Sequence, residues 1–306
     1  MNYIQLQQAI QDYSENTESL FIQNIPTFIQ EAEDRIYNSV QLPSLRKNVI
    51  GTMTSSNQYL SLPNDWLSAY SLAVIDSSGN YTYLLSKDVN FIREAFPATT
   101  YTGMPQYYAL FGSQANNVNE LSVILGPTPD QNYNVELHYF YYPPTIVQGI
   151  ITTATVTASG SGYISGIYTQ VPLISGNGQN AQATIVITGG VVSGFTVTSG
   201  GTLYVVGDVL GFNAAAIGAG SGTGFSVTVT AISNATGTSW LGDNYDPALF
   251  YGAMREAMLF MKQEQDLVAY YEQKYTEAVT QLKRLGDGLE RGDSYRDGQV
   301  KLPVNT

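Results

Sequence analysis

The chain contains no cysteine and a single histidine, His138. Disulfides and cysteine-based zinc sites are excluded. Any Ser-His-Asp triad would have to use His138, and no serine sits in a G-x-S-x-G elbow. His138 lies in an aromatic strand and reads as a hydrogen-bonded core or interface residue. No run of about 18 apolar residues occurs, so no membrane-spanning helix is expected. The opening "MNYIQLQQAIQDYSENTE" has neither a basic stretch nor an apolar core, so no signal peptide is expected there. Cations are scarce, with 13 Lys and Arg against 25 Asp and Glu, for a net charge of −12. Tight binding to a nucleic-acid backbone needs clustered cations and is disfavoured. The acidity serves solubility equally well. Charge of either sign is almost missing from 150–235, where Asp208 stands alone.

What is present divides the 306 residues into regions. Tyr is in excess at 23 copies, a residue that suits cores and protein contacts alike. "ESLFIQNIPTFIQEAEDRIYNSV" predicts a helix. Ile22, Ile25, Ile29, Ala32, Ile36 and Val40 recur at three- and four-residue steps, and Pro26 marks a kink or a start. A shorter helix is expected over 3–13. From about 47 to 142 the period is two, giving strands in "NVIGTMTS", "YSLAVID", "LSVILGP" and "NVELHYFYYPP" among others, with "DSSGN" as a hairpin turn. The last of these strands is apolar on both faces and is expected to be covered on both. "SKDVNFIREAFP" predicts a short helix capped by Ser86.

The segment 150–235 holds 16 of the 29 glycines. "TVTASGSGYISG" at 155–166 and "TVTSGGTLYVVG" at 196–207 head two similar units, which predict a small β-sandwich rather than a linker. Helical periodicity then returns. Asp246 and Pro247 signal a helix start, and Leu267, Tyr271, Tyr275, Ala278, Leu282, Leu285 and Leu289 form a heptad-like seam. Gly286 and Gly288 are expected to loosen or end it, leaving an extended arm. The fold class is therefore α+β. Long helices from both chain ends pack with an antiparallel β region, and a small all-β, sandwich-like domain of two Gly-rich repeats is inserted. The expected division is a core of 1–149 and 236–306, with its arm at 286–306, and an insert at 150–235.

Chemistry-bearing motifs fail on inspection. Glu31, Asp34 and Arg35 read as an ordinary surface helix pair. "GAGSGTG" lacks the Lys of a phosphate loop and leads into a strand. The acids of "DGLERGDSYRDG" do not have calcium-loop spacing. No cofactor, metal or catalytic residue is expected, and an enzyme is not expected.

Three stretches carry a family resemblance. "FIQEAEDRIYNSV" resembles the first long helix of bacteriophage head-to-tail adaptor proteins of the tail-tubular-A or gateway type. "YLSLPNDWLSAYSLAVID" resembles the family's "LPxDFLE…L" lead into a strand, with Trp66 where Phe is usual. "SWLGDNYDPALFYGAMREAMLFMKQEQDLVAYYEQKYTEAVTQLKR" resembles its C-terminal helix pair. The likeness covers 20–145 and 238–285, and the insert departs from it.

The resemblance implies a structural connector of the virion neck, made in the host cytoplasm. It implies a homo-oligomeric ring of 12 copies beneath the portal protein. Downstream tail nozzle or tube proteins would contact it, and genomic DNA would pass non-specifically through the channel. The resemblance leaves the role of the insert open, and its nearly uncharged composition suits an outward-facing contact with a neighbouring ring, tail fibre or tail tube. Ile29, Ile36, Tyr271, Tyr275 and Leu282 would pack the ring helices. Leu289, Arg291, Tyr295, Arg296 and Val300 would meet the portal. The insert could equally be an inert spacer. The alternative is a carbohydrate-binding tail or fibre protein, trimeric, using Tyr163, Tyr168 and Tyr204. A glycan hydrolase is disfavoured by the missing acid–base constellation.

Overall fold

The computed structural model describes residues 1–113, 121–218 and 222–294. The chain starts with helices α1 (Tyr3–Ser14) and α2 (Ser19–Ser39). Strands β1 (Arg46–Met53), β2 (Tyr59–Ser61), β3 (Trp66–Ile75), β4 (Tyr81–Tyr83) and β5 (Leu85–Ser86) follow, then helix α3 (Val89–Ala95). Next come β6 (Tyr107–Ser113), β7 (Leu121–Gly126) and β8 (Tyr133–Tyr141). The Gly-rich segment forms β9 (Ile150–Ser161), β10 (Gly166–Ile174), β11 (Gln179–Thr188), β12 (Val191–Thr202), β13 (Val209–Phe212) and β14 (Thr223–Ser233). Helices α4 (Trp240–Asn244), α5 (Asp246–Phe260) and α6 (Gln265–Ser294) complete the described chain. Two compact units emerge: 1–40 with 144–285, and 41–143 with 286–306.

In the first unit, helices from both ends of the chain share one core. Asn2 caps α1 reciprocally: its side chain accepts from the Gln5 N–H at 2.9 Å, and its own N–H donates to the Gln5 side chain at 3.0 Å. The Ile25, Ile29, Ala32 and Ile36 stripe of α2 is buried as the spacing predicts. Pro26 lies inside α2, which runs on through it. The start of α5 falls one residue earlier than the cap signal, with Tyr245 at the N-cap and Asp246 already helical. Asp246 still favours the first turn through the helix dipole. The short α4 is an element the periodicity does not reveal. Ser239 caps it by accepting from the Gly242 N–H at 3.1 Å.

The Gly-rich segment is one six-stranded sheet in the order β12-β11-β10-β13-β14-β9, curled until its ends nearly meet. This corrects the expectation of two packed sheets. Closure is possible because Gly200 on β12 lets the backbones approach: a Cβ there would stand 2.5 Å from the Ile151 carbonyl oxygen on β9. The barrel has its own core, centred on Ala183, Ile185, Val227 and Val229. Asp208 is buried and works as a loop staple, accepting from the Asn177 N–H, the Asn177 side chain and the Val205 N–H at 2.8–3.1 Å. The barrel leaves and rejoins the chain through one neck. There the Asn234 amide donates to the Thr145 carbonyl at 2.8 Å and the Thr238 carbonyl at 2.9 Å.

The second unit stacks two four-stranded sheets, β1-β8-β3-β4 and β2-β7-β6-β5, over a common core that includes Leu72, Val74, Val123, Leu125 and Leu137. Pairing is antiparallel except between β5 and β6. "DSSGN" is the expected hairpin turn, held by Asp76 Oδ1 accepting from the Ser78 and Asn80 N–H groups. Helix α3 covers the second sheet through Ile92, against Ala109 and Ile124. Asp88, not Ser86, occupies its cap position, because Ser86 is taken up in β5. On β8 only one face is fully buried. Glu136 and His138 on the other face stay partly open, which corrects the two-sided burial expected of it.

Candidate interaction surfaces

Ile29, Ile36, Tyr271, Tyr275 and Leu282 come together, but inside their own chain. All five are buried at 7% exposure or less. They hold α2, α5 and α6 to one another, so any contact between copies would use the opposite faces of these helices. Gly252 marks the tightest point. A Cβ there would stand 2.9 Å from the Ala32 Cβ on α2 and 3.2 Å from the Tyr275 ring on α6. The glycine of "FYGAMREAM" thus permits a three-helix junction. Around it runs a charged network. Glu256 takes Arg35 at 2.6 Å and Arg255 at 2.7 Å, and Arg255 also pairs with Glu272. Arg35 therefore crosses to α5 rather than pairing with Glu31 on its own helix, which corrects the surface-pair reading.

Glu33, a residue the sequence reading did not single out, is buried on α2 at 2% exposure. Its carboxylate accepts from the Thr145 hydroxyl at 2.5 Å and from the Ile146 N–H at 2.8 Å. Burial pushes this carboxyl up to about 7, against the two hydrogen bonds, which pull it down, and with a small upward push from Asp34. Glu33 thereby ties α2 to the chain at the barrel neck. Its polar character inside an apolar stripe was the available signal. Outside, the helices leave a scatter of apolar side chains open, among them Tyr13, Leu20, Phe260, Leu267 and Tyr270.

Helix α6 continues through Gly286 and Gly288 to Ser294, so the first part of the expected arm is helical. Gly286 is a packing position rather than a stop: a Cβ on it would stand 3.0 Å from Leu42 Cδ2. Leu289 and Arg291 fall on the α6 backbone, with side chains outside the described residues. Tyr295, Arg296 and Val300 lie outside the described residues altogether.

The tyrosines considered for sugar binding are mostly interior. Tyr163 and Tyr204 are buried at 6% and 2% exposure, and Tyr168 is half-buried with its hydroxyl on the Ile164 carbonyl at 3.1 Å. The first two occupy matching nests. The Tyr163 hydroxyl accepts from the Phe225 N–H at 3.3 Å. Gly160 and Gly201, at φ +64° and +60°, lie under the two rings, and a Cβ on either would come within 2.7 Å of its tyrosine. Gly222 and Gly178 border the same rings, where a Cβ would approach to 1.9 and 2.4 Å. The glycines are spent on seating these rings, which leaves neither as an exposed platform.

In the second unit, β1 ends its sheet and is open on both faces from Asn48 to Thr52. Its cations are engaged: the Arg46 guanidinium lies 4.0 Å over Tyr70, and Lys47 pairs with Asp65 at 2.5 Å. Asp65 also accepts from the Tyr139 hydroxyl at 2.9 Å. Burial raises the Asp65 carboxyl, but the hydrogen bonds from Lys47 and Tyr139 outweigh it and hold the group below the usual range. His138 lies on the open face beside Glu136 at 3.1 Å, a surface pair rather than a core residue.

Among the described residues, no group of three or more His, Cys, Asp or Glu could hold a metal ion. No described helix is long and apolar enough to cross a membrane. The model of the SU10 adaptor protein family matches residues 1–168, a little over half of the chain. The chain belongs to that family of bacteriophage head-to-tail adaptor proteins, whose role is structural and not enzymatic. No curated protein matches the chain.

Proposed function

We propose that this adaptor forms a ring beneath the portal, commonly of 12 copies, that joins head to tail and surrounds the path of the exiting genome. Membership of the adaptor family over residues 1–168 carries this reading. The three-helix junction at Gly252 supports it, because it joins the two chain ends into one stiff wedge suited to tiling around an axis. The net charge of −12 favours a lumen that DNA passes without sticking. Portal contact belongs to 286–306 in this reading, with Leu289, Arg291, Tyr295, Arg296 and Val300 as the contact set. Downstream tail proteins meet the β modules, and the protein resides in the virion neck.

The barrel of 150–235 is, in the same reading, an accessory module inserted in the adaptor core and descended from a duplicated unit. Exchanging β9, β10 and β11 with β12, β13 and β14 returns the strand order to itself, reversed. The paired Gly–Tyr nests obey the same exchange. The uncharged outside of the barrel suits a static contact with a neighbouring ring, tail tube or fibre.

Native mass measurement of the assembled protein is the direct test. Twelve copies are expected, and a trimer overturns the ring. Removal of 286–306 should abolish co-migration with portal rings while far-UV dichroism keeps its remaining helix and strand signal. Unchanged co-migration removes the arm from the portal contact.

A further inference from the structure

We propose that the sheet β1-β8-β3-β4 runs on from one copy of this chain into the next, with β4 of one copy pairing antiparallel with β1 of its neighbour. Among the described residues, β1 and β4 are the two open edges of this sheet, each paired on one side only. Successive strands are all antiparallel, so β1 and β3 run one way and β8 and β4 the other. A four-stranded sheet of this kind can repeat edge to edge with its alternation intact. The register of β1 with β8 has no bulge, and β1 contains no proline. Natural sheets blunt such edges with outward lysines, prolines or bulges. The one lysine here, Lys47, is drawn aside by Asp65 and by the Tyr141 ring, 4.0 Å from its ammonium.

The β4 edge is equally bare. The Asp76 N–H donates to the Asn80 carbonyl at 3.0 Å and the Leu84 N–H to the Leu72 carbonyl at 2.8 Å, an alternation that turns Thr82 toward β3. The backbone N–H and C=O groups of Tyr81 and Tyr83 therefore point away from β3, where a neighbouring strand can meet them. Side chains match across the seam as well. The registers align Ile50, Glu136, Ala73 and Tyr83 in one row across the four strands, on the face opposite the core. Repeating the sheet without a shift sets Tyr83 beside the next copy's Ile50, an aromatic–β-branched pair of the kind that stabilises sheets. These two side chains are 65% and 67% exposed. A two-fold pairing, β1 with β1 or β4 with β4, would leave the other edge bare in every copy. Unlike pairing uses both edges, and it is heterologous, the kind of contact that closes rings. Because β4 has three residues, the seam sets the register between copies and leaves most of the binding to other surfaces.

The seam rests on the proposed ring for its heterologous contact, not for its copy number. The absence of native cysteine makes a direct test possible. Full-length chains carrying Ile50→Cys, Tyr83→Cys or both are treated with a short bismaleimide at the concentration used for native mass measurement. The double variant should give a covalent ladder reaching the size of the assembly. The two single variants should give covalent dimers when mixed and none when each is alone. Absence of the ladder overturns the seam, whatever the native mass. Dimers within either single variant assign like-with-like pairing and overturn it as well. A ladder that ends at the native mass supports the seam, and if that mass is not 12 copies it is the 12-fold ring alone that falls.

Discussion

Glu33 holds a carboxyl out of water where its protonation is coupled to folding. With the group pushed up to about 7 in the folded chain, the native state binds the proton more tightly than the unfolded state does. The stability this gives is fully present below the ordinary carboxylate range and is lost as pH rises to about 7. At about 1.4 kcal/mol per unit, the loss is about 3 kcal/mol. Glu33→Gln should match the wild type near pH 4 and exceed its stability by up to that amount at pH 8. Parallel urea titrations across this range check the difference, and a constant offset would contradict it. Glycine makes a second residue-scale case. Gly222→Ala forces a Cβ into the Tyr163 ring and should cost about 3 kcal/mol. Adding Tyr163→Ala should make the pair less damaging than the sum of the two changes, because the clash disappears with the ring. Of Glu33 the chain shows only a polar residue in an apolar stripe, and of the Gly222 contact nothing. Glycine-richness announced tight turns, but that Gly222 meets the Tyr163 ring and Gly178 the Tyr204 ring depends on segments 59 and 26 positions away along the chain.

Elements were more legible than their partners. The stripe of α2 and the alternation of β1 to β8 follow from side-chain periodicity, which is a local property. The end of α6 was misjudged because propensity counts Gly286 as a breaker, costing about 1 kcal/mol against alanine. Packing on Leu42 overrides that cost, and it involves a residue more than two hundred positions away. Arg35 teaches the same lesson: spacing offers Glu31, while the bundle supplies Glu256. Glu256 is 10% exposed and serves two arginines, so Glu256→Ala should cost about 2–3 kcal/mol by leaving Arg35 without its partner and Arg255 with one carboxylate in place of two. Thermal unfolding followed at the helical signal measures this. A change near zero would show that the network is solvated rather than structural.

At the scale of the molecule, the helical ends were legible and the partition between units was not. Composition changes abruptly at 150, which is easy to see. The break between compact units falls at Val40–Gln41 and Pro143–Pro144, marked in the sequence only by the proline pair. Compactness depends on which surfaces meet, and a residue count along the chain does not contain that. The second unit is thus a loop of the first, leaving after α2 and returning at the neck. Replacing 41–143 with a short flexible linker should leave the bundle and barrel folded, with unchanged exchange protection at Ile185 and Val227 in the barrel core. Loss of that protection would show that the two units fold as one.

The Glu33 clasp gives this nesting a practical meaning. Because α2 grips the returning chain at Thr145 and Ile146, from a position seven residues before its own exit at Val40, the bundle determines where the excursion must start and finish. Anything that fits between those two moorings, whatever its size or fold, could be exchanged there without retuning the frame. In a head-to-tail adaptor, one such cassette could in this way replace another as a unit.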